Sequence, residues 1–380
     1  MKNKSGLKEI VSDHRFVFLI YVLLTTVAAI IKYNLGTINN FSIYRASFFH
    51  LLHHQSLYTF YPSEYYDQFL YGPLFSLFIA PFAILPLGIG VVAWCLFNTV
   101  SVFFAVSFIK EQKAKKNMMW WLIIIELITS VQNVQVNPFI AALFVFAYLS
   151  FEKENYHWAA FFIVLSTFLK VFGILGAALC VFYPGKIKFV FYSIVWTAFL
   201  FFIQLIIIPF DELINHYQTW VITLLTDRGT NVEDISVMHF FSHVFHANVD
   251  FVKSVIQVLA IILFFPKFLR RKYFKEENYR ILSLASVMIW SVIFSHAAES
   301  STYIVAIIGV AIWFVKSDRT GLDYMLLFLV ILFSILAPTD IYPRSVRSDY
   351  FVPYAIKVVP CLLVWLYIEY TLLFYRRKIS

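Results

Sequence analysis

Two carboxylates lie in an aromatic stretch between the first two long apolar runs of the chain. In "YPSEYYDQFLYGP" (61–73), Glu64 and Asp67 are three residues apart among tyrosines and prolines. A carboxylate can accept a proton from a hydroxyl group, so either side chain is a candidate general base. The alternative is that the two carboxylates are only solvated at the membrane surface, within a belt of aromatic residues, which would give the same sequence pattern. A mere linker would not carry so many aromatic residues, which favours a packed functional element.

The residues just before this stretch, "SIYRASFFHLLHHQSLY" (42–58), predict an amphipathic helix that lies in the membrane interface. Ile43, Ala46 and Phe49 recur at helical spacing, and Leu52 or His53 continues the row. The same segment would therefore place the carboxylates at the membrane surface.

Three further ionisable side chains lie within or beside apolar runs. Lys170, in "STFLKVFG", is near the middle of an apolar run (158–183). A charge deep in a bilayer costs at least about 2.5 kcal/mol and often marks a polar cavity, although snorkelling or a structural ion pair is an alternative. His296 and Glu299 in "SHAAESSTY" share one helix face near the outer end of another run, which makes them candidate site residues.

Amide and histidine clusters have simpler interpretations. The amides of "VQNVQVNP" (131–138) separate two apolar runs and can hydrogen-bond broken backbone, a structural role. Two histidine sets have spacings that could bind a metal: His50, His53 and His54, and His239, His243 and His246. Neither has the HExxH arrangement, and aromatic residues fill the gaps as in interfacial helices. We therefore predict no metal and no other cofactor.

The composition identifies the class of protein. Of the 380 residues, 61% are hydrophobic, 20% aromatic and only 14% charged, and the mean hydropathy is +0.77. Soluble domains have about 45–50% apolar and about 25% charged residues. The three cysteines are isolated within apolar runs, which argues against disulfides. The sequence therefore predicts an all-α polytopic membrane protein, and the first run is expected to be an uncleaved helix.

Apolar runs separated by polar clusters predict about twelve transmembrane helices in one integral membrane domain, 1–380. The predicted spans are 16–31, 73–86, 91–108, 118–131, 138–151, 158–183, 189–209, 251–265, 281–295, 302–315, 324–336 and 353–375. Lys- and Arg-rich segments at both termini, 267–280 and 316–319 are expected to face the cytoplasm. The outer loops are then 32–72, 210–250 and 337–352. The segment "KEQKAKK" (110–116) conflicts with this scheme, because the count places it outside.

Several segments resemble one known family in the same order along the chain. "YGPLFSLFIAPFAILP" resembles the Tyr-x-Pro-Leu-Phe passage of the polyprenyl-phosphate-dependent mannosyltransferases, glycosyltransferase family 87. "VQVNPFIAALFVFAYL" resembles their Gly-Gln-x-Asn segment with Val134 in the glycine place, and "AAFFIVLSTFLKVFGIL" resembles a later helix that bears a lysine. "HYQTWVITLL", "EDISVMHFF" and "SHAAESSTY" are similar to later segments.

The resemblance implies the C-type membrane glycosyltransferase (GT-C) fold. It also implies inverting, metal-independent transfer of a sugar, mannose by analogy, from a polyprenyl phosphate to an extracytoplasmic lipid or glycan acceptor. Lys170, Arg228 and His296 are then the candidate ligands of the donor phosphate. The candidate substrate contacts are Tyr71, Asn137, Asp234 and Glu299.

The chain departs from the family pattern at the expected general base. The family usually has an aspartate at the start of the first outer loop, and the matching residue here is Asn40. An amide does not act as a base. Either Asp67 or Glu64 has taken that role, or this branch uses other substrates or is inactive.

Other classes remain open from sequence alone. The main alternative is a transporter or flippase of a lipid-linked or anionic substrate, which predicts inverted repeats that we do not find. A non-catalytic membrane binding protein comes next, and an intramembrane protease last. The expected partners are the sugar donor, the acceptor and membrane lipids, without nucleic acid. The expected location is a bacterial inner membrane with the active face outside.

Overall fold

The computed structural model of the chain describes residues 13–226, 234–246, 249–295 and 298–376. Within these ranges all regular secondary structure is helical and no β-strand occurs. The predicted all-α class is therefore confirmed. The chain divides into two compact units. The first comprises Met1–Lys110, Ser130–Ala177 and Ile187–Thr230, and the second comprises Glu111–Thr129, Ala178–Lys186 and Asn231–Ser380.

Four helices in the described ranges are long and apolar enough to cross a membrane. They are His14–Asn34, Leu87–Phe108, Lys186–Ile206 and Phe251–Leu269. Shorter apolar helices are Asn137–Glu152, Tyr156–Leu169, Val171–Phe182, Ser300–Lys316, Gly321–Ile335 and Val358–Leu373. This pattern is that of an integral membrane protein, while the number of about twelve crossings stays a prediction.

The remaining helices are shorter or more polar. They are Asn39–Leu52, Pro73–Phe78, Ala80–Ala83, Lys113–Gln132, Phe210–Thr226, Val237–Val244 and Arg344–Val346. Short 3-10 and π-helical turns extend or connect the others: Ile203–Ile206, Pro266–Leu269, Arg271–Tyr273, Ser300–Thr302, Ile331–Ile335 and Arg347–Phe351.

A row of packed helices forms the core of the first unit. His14–Asn34 packs against Leu87–Phe108, which packs against Asn137–Glu152, and this last helix packs against Tyr156–Leu169. The short Pro73–Phe78 helix also packs against Tyr156–Leu169. These contacts bring the outer-loop segment that begins at Pro73 beside the helix that ends just before Lys170.

The predicted span 73–86 is not one continuous helix. The structure has two short helices there, Pro73–Phe78 and Ala80–Ala83, of six and four residues. Pro81 lies in the first turn of the second helix, where a proline has no N–H to donate and its ring blocks continuation of the preceding helix. A six-residue helix is only about 9 Å long, so neither piece can cross a bilayer.

The predicted single span 158–183 is also divided. The α-helix ends at Leu169, and Lys170 is extended with φ −141° and ψ 122°. A 3-10 helix, Val171–Phe182, follows. The chain returns so closely that a Cβ at Gly173 would lie 2.5 Å from the carbonyl carbon of Ser166. Lys170 therefore terminates a helix, and the expectation that it lies in mid-helix is wrong.

A helix is present in this part of the chain as Asn39–Leu52, and its position at the membrane interface stays a prediction. Of the predicted row, Ile43 is buried and Leu52 is 40% exposed. The other buried apolar side chains of this helix are Phe41, Tyr44, Phe48 and Leu51. The packed face is set by contacts with the two short helices after Pro73, which hydropathy alone does not reveal.

The second unit is built on three helices in mutual contact. Glu277–Ile293 packs along Tyr303–Lys316, and Val358–Leu373 packs against both. Gly309 permits the close approach of the first two, because a Cβ there would lie 2.8 Å from the carbonyl oxygen of Ala285.

Ion pairs of Glu111 connect two lysine-bearing segments of the second unit, the one that contains Lys115 and the one that contains Lys316. Glu111 lies 2.5 Å from Lys316 and 3.5 Å from Lys115. Lys316 belongs to a segment predicted to be cytoplasmic. The segment 110–116, which the count of spans placed outside, thus adjoins a segment placed inside.

Candidate active site

A lysine and an asparagine from consecutive packed helices meet in the first unit. Lys170 is the residue that ends Tyr156–Leu169, and Asn137 is the first residue of Asn137–Glu152. The Nζ of Lys170 donates to Oδ1 of Asn137 over 2.9 Å, and Asn137 is fully buried. Because the amide oxygen carries no charge, it positions the ammonium group without neutralising it.

Aromatic rings cover this ammonium group. The Nζ of Lys170 lies 5.4 Å from the ring centroid of Tyr71 and 5.7 Å from that of Phe172. Such distances allow a favourable cation–π attraction. The structure thus brings together Lys170, Asn137 and Tyr71, three residues that the sequence indicated separately.

The hydroxyl group of Tyr71 belongs to a buried network that sequence reasoning did not assign to the site. The hydroxyl oxygens of Tyr71 and Tyr44 are 2.7 Å apart, and both donate to Oε1 of Gln135, over 2.9 Å and 3.2 Å. Tyr58 donates its hydroxyl to the carbonyl oxygen of Tyr71. Burial, and then Tyr217, raise the pKa of Tyr58, so this hydroxyl stays a neutral donor.

The turn that presents Gln135 and Asn137 has a strained centre. Val134 has φ +51°, a left-handed conformation that a β-branched residue rarely adopts. Its carbonyl oxygen accepts a hydrogen bond from Nε1 of Trp94. This is the position that the resemblance aligned with a glycine, and the backbone has the conformation that glycine favours.

Asn40 and Asp67 each follow a residue of one side chain–backbone contact, that of Asn39 with Tyr66. The side chain of Asn39 bonds both backbone groups of Tyr66, accepting from N over 3.0 Å and donating to O over 3.3 Å. Asn40 follows Asn39, and Asp67 follows Tyr66. Asn40 itself donates from Nδ2 to the carbonyl oxygen of Asn133 over 2.8 Å. Asp67 and Asn40 are thus each next to one partner of the contact between Asn39 and Tyr66, which brings Asp67 near the position where the family has its aspartate.

Glu64 has a different environment. Both of its oxygens lie within hydrogen-bonding distance of Nε2 of His50, at 3.1 and 3.3 Å, and this histidine is buried. His50, one of the suspected metal ligands, therefore pairs with a carboxylate. Burial, and then Glu64, raise the pKa of Tyr65 beside this pair.

A second histidine–carboxylate contact joins the first two outer loops within the first unit. His54 lies 2.9 Å from Glu212, which also lies 3.4 Å from the buried His216. Burial lowers the pKa of His216, against the opposing pull of Glu212. Among the described residues no group of three or more His, Cys, Asp or Glu side chains could hold a metal ion.

The other predicted site residues belong to the second unit or lie outside the described ranges. Glu299 accepts a hydrogen bond from Oγ of Ser301 over 3.0 Å. Asp234 precedes Ile235, whose N–H donates to the carbonyl oxygen of Ala298 over 2.7 Å. Arg228 and His296 are outside the described residues.

Sequence reasoning missed a buried charged pair in the second unit. The Nζ of Lys357 lies 2.8 Å from Glu126, and both side chains are almost completely buried. Each is an isolated charge inside an apolar run, the same signal that drew attention to Lys170. The signal was present in the sequence, but the partners are distant along the chain.

An open apolar groove of about 720 Å³ lies in the first unit. It runs between Tyr156–Leu169 and Lys186–Phe202. Its lining includes Ile163, Thr167, Phe168, Ile174, Ile194 and Ala198. Because Thr167 and Phe168 directly precede Leu169 and Lys170, the groove passes next to the segment that carries the ammonium group.

Comparison with known proteins defines the class. A sequence model of glycosyltransferase family 87 matches residues 69–339, well over half of the chain. The matched range contains Tyr71, Asn137 and Lys170. The family match and the long apolar helices together identify a membrane glycosyltransferase. The chain belongs to glycosyltransferase family 87. A search of characterised proteins found no match.

Proposed function

We propose that the protein transfers a sugar, mannose by analogy, from a polyprenyl phosphate to an extracytoplasmic lipid or glycan acceptor. The observation that carries the proposal is that Lys170 lies two residues after Phe168, which lines an apolar groove. A lipid phosphate has a long apolar chain and an anionic head, so it needs an apolar channel and a cation next to each other. The first unit offers both in one stretch of chain.

In this proposal Lys170 stabilises the charge that develops on the leaving phosphate. Asn137 accepts a hydrogen bond from the ammonium group, and the ring of Tyr71 lies over it, so both contacts hold the group in place. Preorganised positive charge of this kind is a large contribution to catalysis, and it needs no metal ion. Arg228 and His296 as donor-phosphate ligands, and Asp234 and Glu299 as substrate contacts, stay predictions from the family resemblance.

Asp67 is the proposed general base. The acceptor hydroxyl oxygen attacks the anomeric carbon, the bond between that carbon and the phosphate oxygen breaks, and the carboxylate of Asp67 takes the hydroxyl proton. Attack opposite the leaving group inverts the anomeric configuration. Asp67 is preferred to Glu64 because Asp67 directly follows Tyr66, whose backbone is hydrogen-bonded to Asn39, the neighbour of Asn40.

The proposed membrane orientation keeps about twelve crossings but changes two of them. The segment 73–86 does not cross, and Tyr156–Leu169 and Val171–Phe182 count separately. The segment 110–116 then faces the cytoplasm, in agreement with its lysines and with the pairing of Glu111 and Lys316. The loops with Asp67, Asn137 and Lys170 face outside. A bacterial inner membrane is the proposed location.

Donor specificity tests this function. The purified protein in nanodiscs is supplied with radiolabelled polyprenyl-phosphate sugars, or with nucleoside-diphosphate sugars, together with a lipid extract as acceptor. We expect label to move only from the lipid-linked donors, with inversion at the anomeric carbon and without an effect of EDTA. Transfer from nucleoside-diphosphate sugars alone would contradict the proposed donor, and retention would contradict the mechanism.

A further inference from the structure

A small cavity in the second unit has two cationic side chains in its lining. Its volume is about 180 Å³, and Arg347 and Lys357 line it together with Ser300. Ile235, Ala337 and Phe351 provide apolar walls. A water molecule occupies about 30 Å³ in the liquid, so the space suits a phosphate or carboxylate group.

Lys357 is held rigidly at this cavity. Its Nζ lies 2.8 Å from Glu126 and donates to the hydroxyl oxygen of Ser300 over 2.9 Å and to its carbonyl oxygen over 3.2 Å. Only 4% of Lys357 is exposed. Replacing a buried ion pair with apolar residues of similar size often leaves a protein equally stable or more stable. The pair of Lys357 and Glu126 is therefore weak evidence of a purely structural role. Glu126 itself does not line the cavity.

Arg347 contributes a charge that the protein neutralises weakly. Its guanidinium donates to Oδ1 of Asp340 over 2.6 Å and to the carbonyl oxygen of Pro338 over 3.1 Å. The Asp340 side chain is 93% exposed, so solvent screens its charge. The Nε–H group of Arg347 is buried and has no acceptor, which is unfavourable unless a ligand supplies one.

We infer that this cavity binds an oxyanion, a phosphate or carboxylate group, through hydrogen bonds from Arg347 and the hydroxyl of Ser300 and through the nearby charge of Lys357. Apolar walls strengthen the attraction between the cations and such a group by keeping water away. The inference does not depend on the sugar donor proposed above, because a lipid phosphate and an anionic acceptor both carry an oxyanion. Arg347 and Lys357 lie beyond the residues that match the family.

Inorganic phosphate tests the site directly. Thermal unfolding of the full-length protein in phosphatidylcholine nanodiscs is followed while phosphate replaces chloride at constant ionic strength. Arg347→Gln is compared with Arg344→Gln, which makes the same charge change at an exposed position of the same loop that does not line the cavity. No sugar transfer is measured, so this result is separate from that of the donor test.

We expect a saturable rise in the melting temperature of the native protein and of Arg344→Gln. For Arg347→Gln, the phosphate concentration that gives half of the maximal rise in melting temperature should increase about tenfold or more. This increase corresponds to the loss of one hydrogen bond from a charged group. An equal response of the two variants, or no response of the native protein beyond that to chloride, would overturn the inference.

A variant with the opposite effect strengthens the test. Glu126→Gln removes the charge that neutralises Lys357, so phosphate should stabilise this variant at lower concentration than the native protein. Unchanged phosphate dependence in a folded Glu126→Gln protein would exclude Lys357 from the site. If this variant does not fold, the comparison of the two arginine variants decides.

Competition identifies the source of the oxyanion. Short polyprenyl monophosphate or phosphatidylglycerol is added during the phosphate titration. Competition by the first assigns the cavity to the donor lipid, and competition by the second assigns it to an anionic lipid acceptor. Competition by neither, with the response to phosphate intact, would assign the cavity to a soluble oxyanion.

Discussion

The ammonium group of Lys170 and the amide oxygen of Asn137 are 2.9 Å apart, although 33 residues separate them in the chain. The contact exists because an α-helix ends at Leu169 and leaves Lys170 extended at its tip. A continuous helix would give Lys170 the helical backbone of its neighbours. The break in the helix therefore positions the cation that the proposed reaction requires.

Removal of the charge of Lys170 should slow sugar transfer strongly. We expect Lys170→Met to lower kcat by about 10²–10³, the effect of losing one preorganised group that stabilises developing negative charge. Asn137→Ala should cause a smaller loss, because the ammonium group remains but loses its hydrogen-bond acceptor. Lys188→Met, at an exposed position, is the control with the same charge change. Equal activity of Lys170→Met and Lys188→Met would exclude Lys170 from the site.

Filling the apolar groove should discriminate between donors by chain length. Ala198 lines the groove, whereas Val195 is exposed on the same helix and does not. Ala198→Trp should raise KM for a long-chain donor and leave KM for a short-chain analogue unchanged. Val195→Trp should change neither. A similar change for both donors in Ala198→Trp would show that the groove does not hold the lipid chain.

Gly72 should be intolerant of any side chain. A Cβ there would lie 2.1 Å from the carbonyl oxygen of Phe168 and 3.3 Å from the ring of Trp220. Gly72→Ala must displace backbone two residues before Lys170, so we expect a loss of roughly 1–3 kcal/mol in stability and lower activity. Gly321→Ala, with open space around its Cβ, is the control. Thermal unfolding of both variants would show whether Gly72→Ala is the less stable.

His216 should make stability depend on pH. Burial lowers its pKa in the folded protein, and Glu212 opposes this shift. As the pH falls below the ordinary histidine pKa of about 6.5, the unfolded chain takes up a proton that folded His216 does not, so stability is lost. The melting temperature of His216→Gln should fall less than that of the native protein between pH 7 and pH 5. An equal fall in the melting temperatures of His216→Gln and the native protein over this pH range would contradict the prediction.

The sequence indicated Tyr71, Asn137 and Lys170 separately, Lys170 by its charge within an apolar run and the other two through the family resemblance. The geometry that brings them together was not predictable. Hydropathy stays high from Val171 to Phe182, so the pattern gave no sign of the helix break at Lys170. Likewise, 73–86 is apolar enough to suggest a span, and only Pro81 indicates that it is divided.

The buried pair of Lys357 and Glu126 shows a different limit. Each charge within an apolar run could be recognised separately, but 231 residues separate them. Only the packing of the second unit reveals that the two side chains neutralise each other. The pairing of Glu64 with His50 was likewise not predictable from hydropathy, because it depends on how the loop folds back on the Asn39–Leu52 helix.

Transfer by Asp67→Asn, measured beside Glu64→Gln, tests the central claim most directly. The assay follows the loss of sugar from a polyprenyl-phosphate donor that the native protein uses. Loss of a general base should lower kcat about 10²–10⁴-fold in Asp67→Asn, whereas Glu64→Gln should retain most of the activity. Full transfer by Asp67→Asn would contradict the proposed mechanism, and loss in Glu64→Gln alone would assign the base to Glu64.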